Sequence, residues 1–199
     1  MADGILVRHR TSVLGEQRFS FNHQEPGMKD RILASYLKDF SKEYRLECLD
    51  ESDAFEYFVN YCAISKHHPD SFEPEDVSVG GPGDLGLDGL AILVNDHLVI
   101  SKTDVDHLKQ ALRRLDVEFV FIQAKTSPHF DAAEIGAVFA GIRQFFAQAE
   151  PRAANDIIRE LHAIKEHIFD SSIDFEHNPI CRVYYATTGT WSGDHASKS

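Results

Sequence analysis

The sequence predicts an α/β fold with a mixed sheet, and three stretches carry that expectation. "VEFVFIQAK" (Val117–Lys125) is an almost unbroken apolar run, the mark of a central strand covered on both faces. "GGPGDLGLDGLAILV" (Gly80–Val94) sets a glycine- and proline-rich turn directly before a second apolar run. Around these two stretches, apolar residues recur at the three- and four-residue spacing of helices packed on a sheet.

The first 27 residues hold one short apolar run, Ile5–Val7, and little periodicity. From Asp30 to Phe40, a helix is predicted by Ile32, Leu33, Tyr36, Leu37 and Phe40. A second helix follows from about Asp53, with Ser52 as its N-cap and Phe55, Phe58, Val59 and Cys62 as its buried stripe. The polar, proline-bearing stretch "SKHHPDSFEPED" reads as a linker. A strand over Leu87–Val94 then turns at Asn95–Asp96 into a short antiparallel strand, His97–Ile100. "SKTDVDHLKQALRRLD" reads as a helix capped by Thr103 with Asp106 three positions on, turning Val105, Leu108, Leu112 and Leu115 to the core. After the Val117–Lys125 strand, Asp131 and Glu134 open another helix, with Ile135, Val138, Phe139, Ile142 and Phe146 on its apolar face. Pro151 breaks the pattern, Ile157, Ile158, Leu161, Ile164 and Ile168 mark a further helix, and "ICRVYYATTG" supplies the last strand.

At 199 residues, with 43% hydrophobic residues and 14 phenylalanines, the chain suffices for one well-formed core. Residues 1–50 read as a helical and irregular segment packing on a core domain of residues 51–190. Residues 191–199 read as a flexible tail. The stop just after a strand suggests a domain cut from a longer protein, with downstream domains as partners. No window approaches the roughly 18 apolar residues of a membrane span, and "MADGILVRHR" lacks the features of a secretory signal. Three cysteines without metal-ligand spacing predict reduced thiols in a cytoplasmic protein. The formal net charge of −12 argues against a plain nucleic-acid-coating module, whose affinity needs basic residues. It argues less against an enzyme that recruits a cation or a local basic patch.

Alternate residues of a strand share a face, so Phe119, Phe121, Gln123 and Lys125 lie on one side and Val120, Ile122 and Ala124 on the other. Asp88 has the parity of Leu90 and Ile92 and opens its own strand. If the two strands are antiparallel neighbours, its carboxylate can meet Gln123 and Lys125. Asp88, the Gln123 side-chain oxygen and the Ala124 carbonyl then offer hard oxygen ligands suited to Mg2+, with Mn2+ as a substitute. Lys125 is placed to orient water or to stabilise charge on a phosphorane-like transition state. One acidic ligand under-neutralises such a cation, and Glu56, beside the stripe of the second helix, is the expected second carboxylate.

These residues carry a family resemblance. "GDLGLDGLAIL" followed by "FVFIQAK" resembles the catalytic core of PD-(D/E)xK nucleases, in the D…QxK variant of Mrr-like restriction endonucleases. With "FEYFVNYCAIS" before them, they are similar to the N-terminal region of the abortive-infection phage-resistance (AIPR) family, over about Asp53 to Gly189. The resemblance implies a restriction-endonuclease-like sheet and a Mg2+-dependent endonuclease acting on nucleic acid, with DNA the expected substrate, in anti-phage defence. It makes Asp88 the metal-binding aspartate, Gln123 the replacement for the second acidic ligand and Lys125 the catalytic lysine. Glu56 becomes the helix carboxylate that some members add. Asp84 in the glycine loop is a weaker candidate, and the gap of 35 positions from Asp88 to Gln123 departs from the compact hairpin of many members.

Lys102, Lys109, Arg113 and Arg114 form the best local basic face for phosphate, with a solvated helix face as the alternative, and Thr187 lies where it can line a cleft or a turn. "HHPD" (His67–Asp70) has no partner at zinc spacing and reads as an exposed loop. A homodimer stays open. So does the alternative that the domain has lost catalysis and serves as a nucleic-acid or protein sensing module.

Overall fold

The computed structural model describes residues 30–189, where five helices and four strands follow one another in the expected order. The helices are α1 (Arg31–Glu43), α2 (Glu51–Ile64), α3 (Lys102–Ala111), α4 (Ala132–Phe146) and α5 (Asp156–Phe169). The strands are β1 (Gly89–Val94), β2 (His97–Leu98), β3 (Val117–Lys125) and β4 (Ile180–Thr187). They form one sheet in the order β2-β1-β3-β4. β1 pairs antiparallel with both β2 and β3, whereas β3 and β4 are parallel and joined by the α4–α5 crossover. The sheet is therefore mixed and flanked by helices, a generic α/β arrangement. The Ile5–Val7 run and the tail lie outside the described residues.

Strand parity divides the core into two layers. On one face Leu90, Ile92, Val94, Phe119 and Phe121 pack against α4 and α5 through Val138, Ile142, Phe145, Ile158 and Leu161. On the other, Ala91, Leu93, Val120 and Ile122 pack against Ala63 and Ile64 of α2, and Ala124 lies under Leu37, Ala54 and Phe55. Burial on both faces explains why β3 reads as nearly continuous apolar sequence.

Local differences from the sequence reading have specific causes. Asp50, not Ser52, caps α2, because its Oδ1 accepts the Asp53 N–H at 2.9 Å. Ser101 and Asp104, not Thr103 and Asp106, make the reciprocal cap of α3. α1 buries only Leu37, Phe40 and Ser41, while Ile32 and Tyr36 are 70% and 63% exposed on its outer side. Cys62 is exposed, as are Leu112 and Phe139, and Phe145 takes the buried position on α4. Leu115 is buried as expected, but beyond the end of α3, where it bridges to Phe175. The two histidines of "HHPD" are not exposed loop residues: His68 is buried with Nδ1 2.7 Å from the Asp96 carbonyl, and His67 Nε2 lies 2.6 Å from the Tyr184 hydroxyl.

The glycine loop between Val79 and Leu87 is held from three sides. Asp84 accepts the Gly81 N–H on Oδ2 and the Gly86 N–H on Oδ1, at 3.1 and 2.7 Å. Asn155, the N-cap of α5, donates its backbone N–H to the Gly83 carbonyl at 2.8 Å and its side-chain amide to Val79 O at 3.0 Å. Gly83 has φ +83°, and a Cβ there would press on the Ala153 carbonyl at 2.6 Å, so both conformation and space require glycine.

Phe121→Ala is expected to cost about 3–5 kcal/mol, because the ring fills the fully buried centre of the α4–α5 layer. Ile32→Ala should change stability by less than about 0.5 kcal/mol. Urea denaturation of both variants checks the contrast, and equal midpoints would refute the burial assigned to Phe121.

Candidate metal centre at the ends of the central strands

The antiparallel register sets Gly89 opposite Ile122, so Asp88 faces Gln123 one step further on. The chain leaves the β3 track at this point. In a strand, the N–H and C=O of residues two apart point to the same edge. Ile122 O accepts the Asp88 N–H at 2.9 Å, so Ala124 turns its own N–H and C=O to the edge that β1 has just vacated. The Asp88 side chain fills part of the vacancy. Its Oδ2 accepts the Ala124 N–H at 2.7 Å and the Gln123 Nε2–H at 2.5 Å.

The carboxylate consequently lies at the end of the sheet, where the two core layers meet. Gln123 reaches it from the parity of the α4–α5 layer, and Glu56 comes from α2 on the opposite side. Gly80 stands between the two acids. A Cβ on it would sit 3.4 Å from Glu56 Oε2 and 3.9 Å from Asp88 Cα, in ordinary contact with both residues. Lys125, partly buried, follows on β3 with Thr187 opposite it on β4. Asp88, Gln123, Ala124, Glu56, Lys125 and Thr187 thus share one end of the sheet.

The electrostatics of this corner are those of two crowded acids. Burial raises the Asp88 carboxyl to about 6, against the opposing effects of the Ala124 N–H, the Lys125 charge and the Gln123 amide. Burial also raises Glu56, to about 7, and the neighbouring negative charge of Asp88 adds to the shift. Both protons come off near neutral pH, where a cation competes for the same oxygens.

The donor set fits a hard, oxygen-seeking cation. Both protein hydrogen bonds to the Asp88 carboxylate fall on Oδ2, leaving Oδ1 as a donor atom, while the Ala124 carbonyl lies 3.5 Å from Gln123 Nε2. Gln123 offers Oε1 only after its amide turns over, because Nε2 now faces Asp88. Among the described residues no group of three histidine, cysteine or acidic side chains is gathered at one point. The chain contributes two carboxylates, and Mg2+ is the common cation that accepts so few, completing its shell with carbonyl, water and phosphate oxygens.

The other sequence candidates lie apart from this corner or are otherwise engaged. Both oxygens of Asp84 are taken by the loop it organises. Lys102, Lys109 and Arg113 travel with α3 to the N-terminal end of β3, where Lys109 Nζ donates to Ser171 Oγ at 2.5 Å. Asn60 was not among the sequence candidates. It is fully buried on α2, and its Nδ2 donates to the Asp88 carbonyl at 2.9 Å. A polar residue one helical turn after Glu56, in an otherwise apolar stretch, was the available signal.

The raised Glu56 carboxyl has a stability consequence with a definite sign. The unfolded chain loses that proton near the ordinary value of about 4.3, while the folded chain holds it to about 7. Its contribution is complete below the unfolded value and is lost as pH rises through the folded one. Glu56→Gln should therefore gain in Tm relative to wild type between pH 5 and pH 8. A Tm difference that stays constant over that range would contradict the assigned environment.

No helix among the described residues is long and apolar enough to cross a membrane. Comparison with protein-family models, curated proteins and solved structures found no match to this chain, so its functional reading rests on the geometry and chemistry of this corner.

Proposed function

We propose that this chain is a metal-dependent nuclease domain of the PD-(D/E)xK type, with a restriction-endonuclease-like fold and the D…QxK form of the motif. In this reading it resembles the N-terminal region of the AIPR phage-resistance proteins, and its substrate is DNA in a cytoplasmic defence setting. The observation that carries the reading is the convergence of the Asp88 carboxylate, the Gln123 amide and the Ala124 backbone at the point where β1 leaves β3. Lys125 and Glu56 flank that point.

In this reading Asp88 Oδ1, Glu56 and the Ala124 carbonyl hold Mg2+ or Mn2+, with Gln123 joining through Oε1 once its amide turns. The bound cation supplies Lewis acidity toward a phosphodiester oxygen. Lys125 brings its ammonium to the same end of the sheet, where it offsets negative charge developing on phosphorus and orients an attacking water. Thr187 Oγ1 accepts the Gly189 N–H at 3.2 Å, so its hydroxyl proton can donate to a phosphate oxygen.

A second reading has one observation behind it. Asp88 Oδ2 is already satisfied by two protein donors, an arrangement suited to a quiescent domain that binds nucleic acid or a protein partner without cutting. Cleavage of plasmid, linear and single-stranded substrates with Mg2+ or Mn2+ separates the two, because only the nuclease reading predicts chelator-sensitive products.

Asp88→Ala and Lys125→Ala should each lower cleavage by at least about 100-fold while leaving the fold intact. Wild-type rates from either would remove the nuclease assignment. Gln123→Glu should retain or strengthen Mn2+ binding, since it replaces an amide with a charged oxygen donor. Calorimetry that finds much weaker binding would contradict a ligand role for position 123.

A further inference from the structure

We infer that Asn60 is the positioning residue of this centre, the tie that fixes the helix carboxylate Glu56 to the strand carboxylate Asp88; the inference rests on the metal-site reading above. Asn60 and Glu56 are four residues apart on α2 and so project from one side of the helix, one turn from each other. Asn60 Nδ2 donates to the Asp88 carbonyl at 2.9 Å and to Ser78 Oγ at 3.1 Å. Ser78 Oγ itself donates to the Pro74 carbonyl at 2.8 Å, so it can only accept from Asn60, and this fixes which way the amide faces.

The same amide determines what can follow Asp88. A Cβ on Gly89 would collide with the Asn60 carbonyl oxygen and carbon, so glycine at 89 and asparagine at 60 form one fitted pair. Asn60 Oδ1 is buried and, among the described residues, makes no hydrogen bond. The side chain thus accepts an unmet acceptor in order to keep both N–H groups on the β1 corner, a cost a purely packing role would not require. Helix α2 otherwise touches β1 and β3 through apolar contacts, which permit sliding along the helix axis; the directional bond to Asp88 O does not.

Without this tie, Glu56 and Asp88 would no longer be held at one separation, and a cation bound by both would lose affinity. Changing residues that orient metal ligands typically weakens binding about 10- to 100-fold. The test measures Mn2+ affinity by electron paramagnetic resonance and calorimetry, alongside Tm, for wild type, Asn60→Ala, Gly89→Ala, Ser78→Ala, Ile64→Val and Asp88→Ala. Gly89→Ala displaces the amide without deleting it and serves if Asn60→Ala folds poorly. Ile64→Val perturbs the α2 core away from the corner.

The expected result is at least about a ten-fold loss for Asn60→Ala and Gly89→Ala, a smaller loss for Ser78→Ala, which removes one of the two acceptors of the Asn60 amide, and Ile64→Val within two-fold of wild type. Wild-type affinity in either of the first two variants overturns the inference. So does a loss that merely follows Tm and is shared by Ile64→Val, since that marks Asn60 as a stability residue alone. Unchanged affinity in Asp88→Ala would instead remove the metal centre itself, and this inference with it.

Discussion

The corner of the molecule depends on the way Asp88 is held. Its backbone N–H goes to Ile122 O, its carbonyl accepts from Val79 N and Asn60 Nδ2, and its Oδ2 accepts from Gln123 Nε2 and Ala124 N. The five partners come from three parts of the structure: Ile122, Gln123 and Ala124 from the central strand, Val79 from the segment leading into the glycine loop, and Asn60 from α2. The main chain of Asp88 is thereby tied to all three, and its carboxylate cannot turn without breaking both of its bonds to β3. That rigidity is what a metal or catalytic centre needs, since ligand geometry must be set before the ligand arrives.

The same constraint explains why the site can sit in so acidic a chain. Charge is not spread evenly at this end. α2, α4 and α5 open with acidic first turns, Glu51 and Asp53, Glu134, and Asp156, which complement their helix dipoles. Glu134 also accepts from the Tyr185 hydroxyl at 2.9 Å, so part of this acidity is engaged in tying α4 to β4. Glu56 and Asp88 differ from these in being raised chiefly by burial, with the Asp88 charge adding to the shift of Glu56. A divalent cation is the simplest species that neutralises both.

Much of this arrangement was legible in the sequence where one physical signal dominated. β3 read true to the residue because burial on both faces leaves no polar interruption between Glu118 and Gln123. Asp88 and Gln123 could be paired because strand parity is strict once two strands are antiparallel. The caps of α2 and α3 were less legible, since "LDESD" and "ISKTD" each offer several residues able to accept an N–H, and only the geometry selects Asp50 and Ser101. Ile32 and Tyr36 illustrate another limit: helical spacing marks a stripe but does not say whether anything packs on it. Asn60 lay hidden because its partners are a main-chain carbonyl and a missing Cβ, neither of which has a side-chain signature. The helix that carries Lys102 and Lys109 fills the connection between β2 and β3, so its place relative to the corner depends on topology, which residue spacing does not encode.

The division of the core into two layers has a consequence for how the molecule would respond to a ligand. Above and below the sheet, the apolar clusters are built from different helices, and the strands are their common wall. An ion gripped by Glu56 on one side and Gln123 on the other would act as a rivet through that wall. Occupancy would then be felt as tighter coupling between the halves, and slow exchange of amides on both α2 and α4 would report it from far outside the corner.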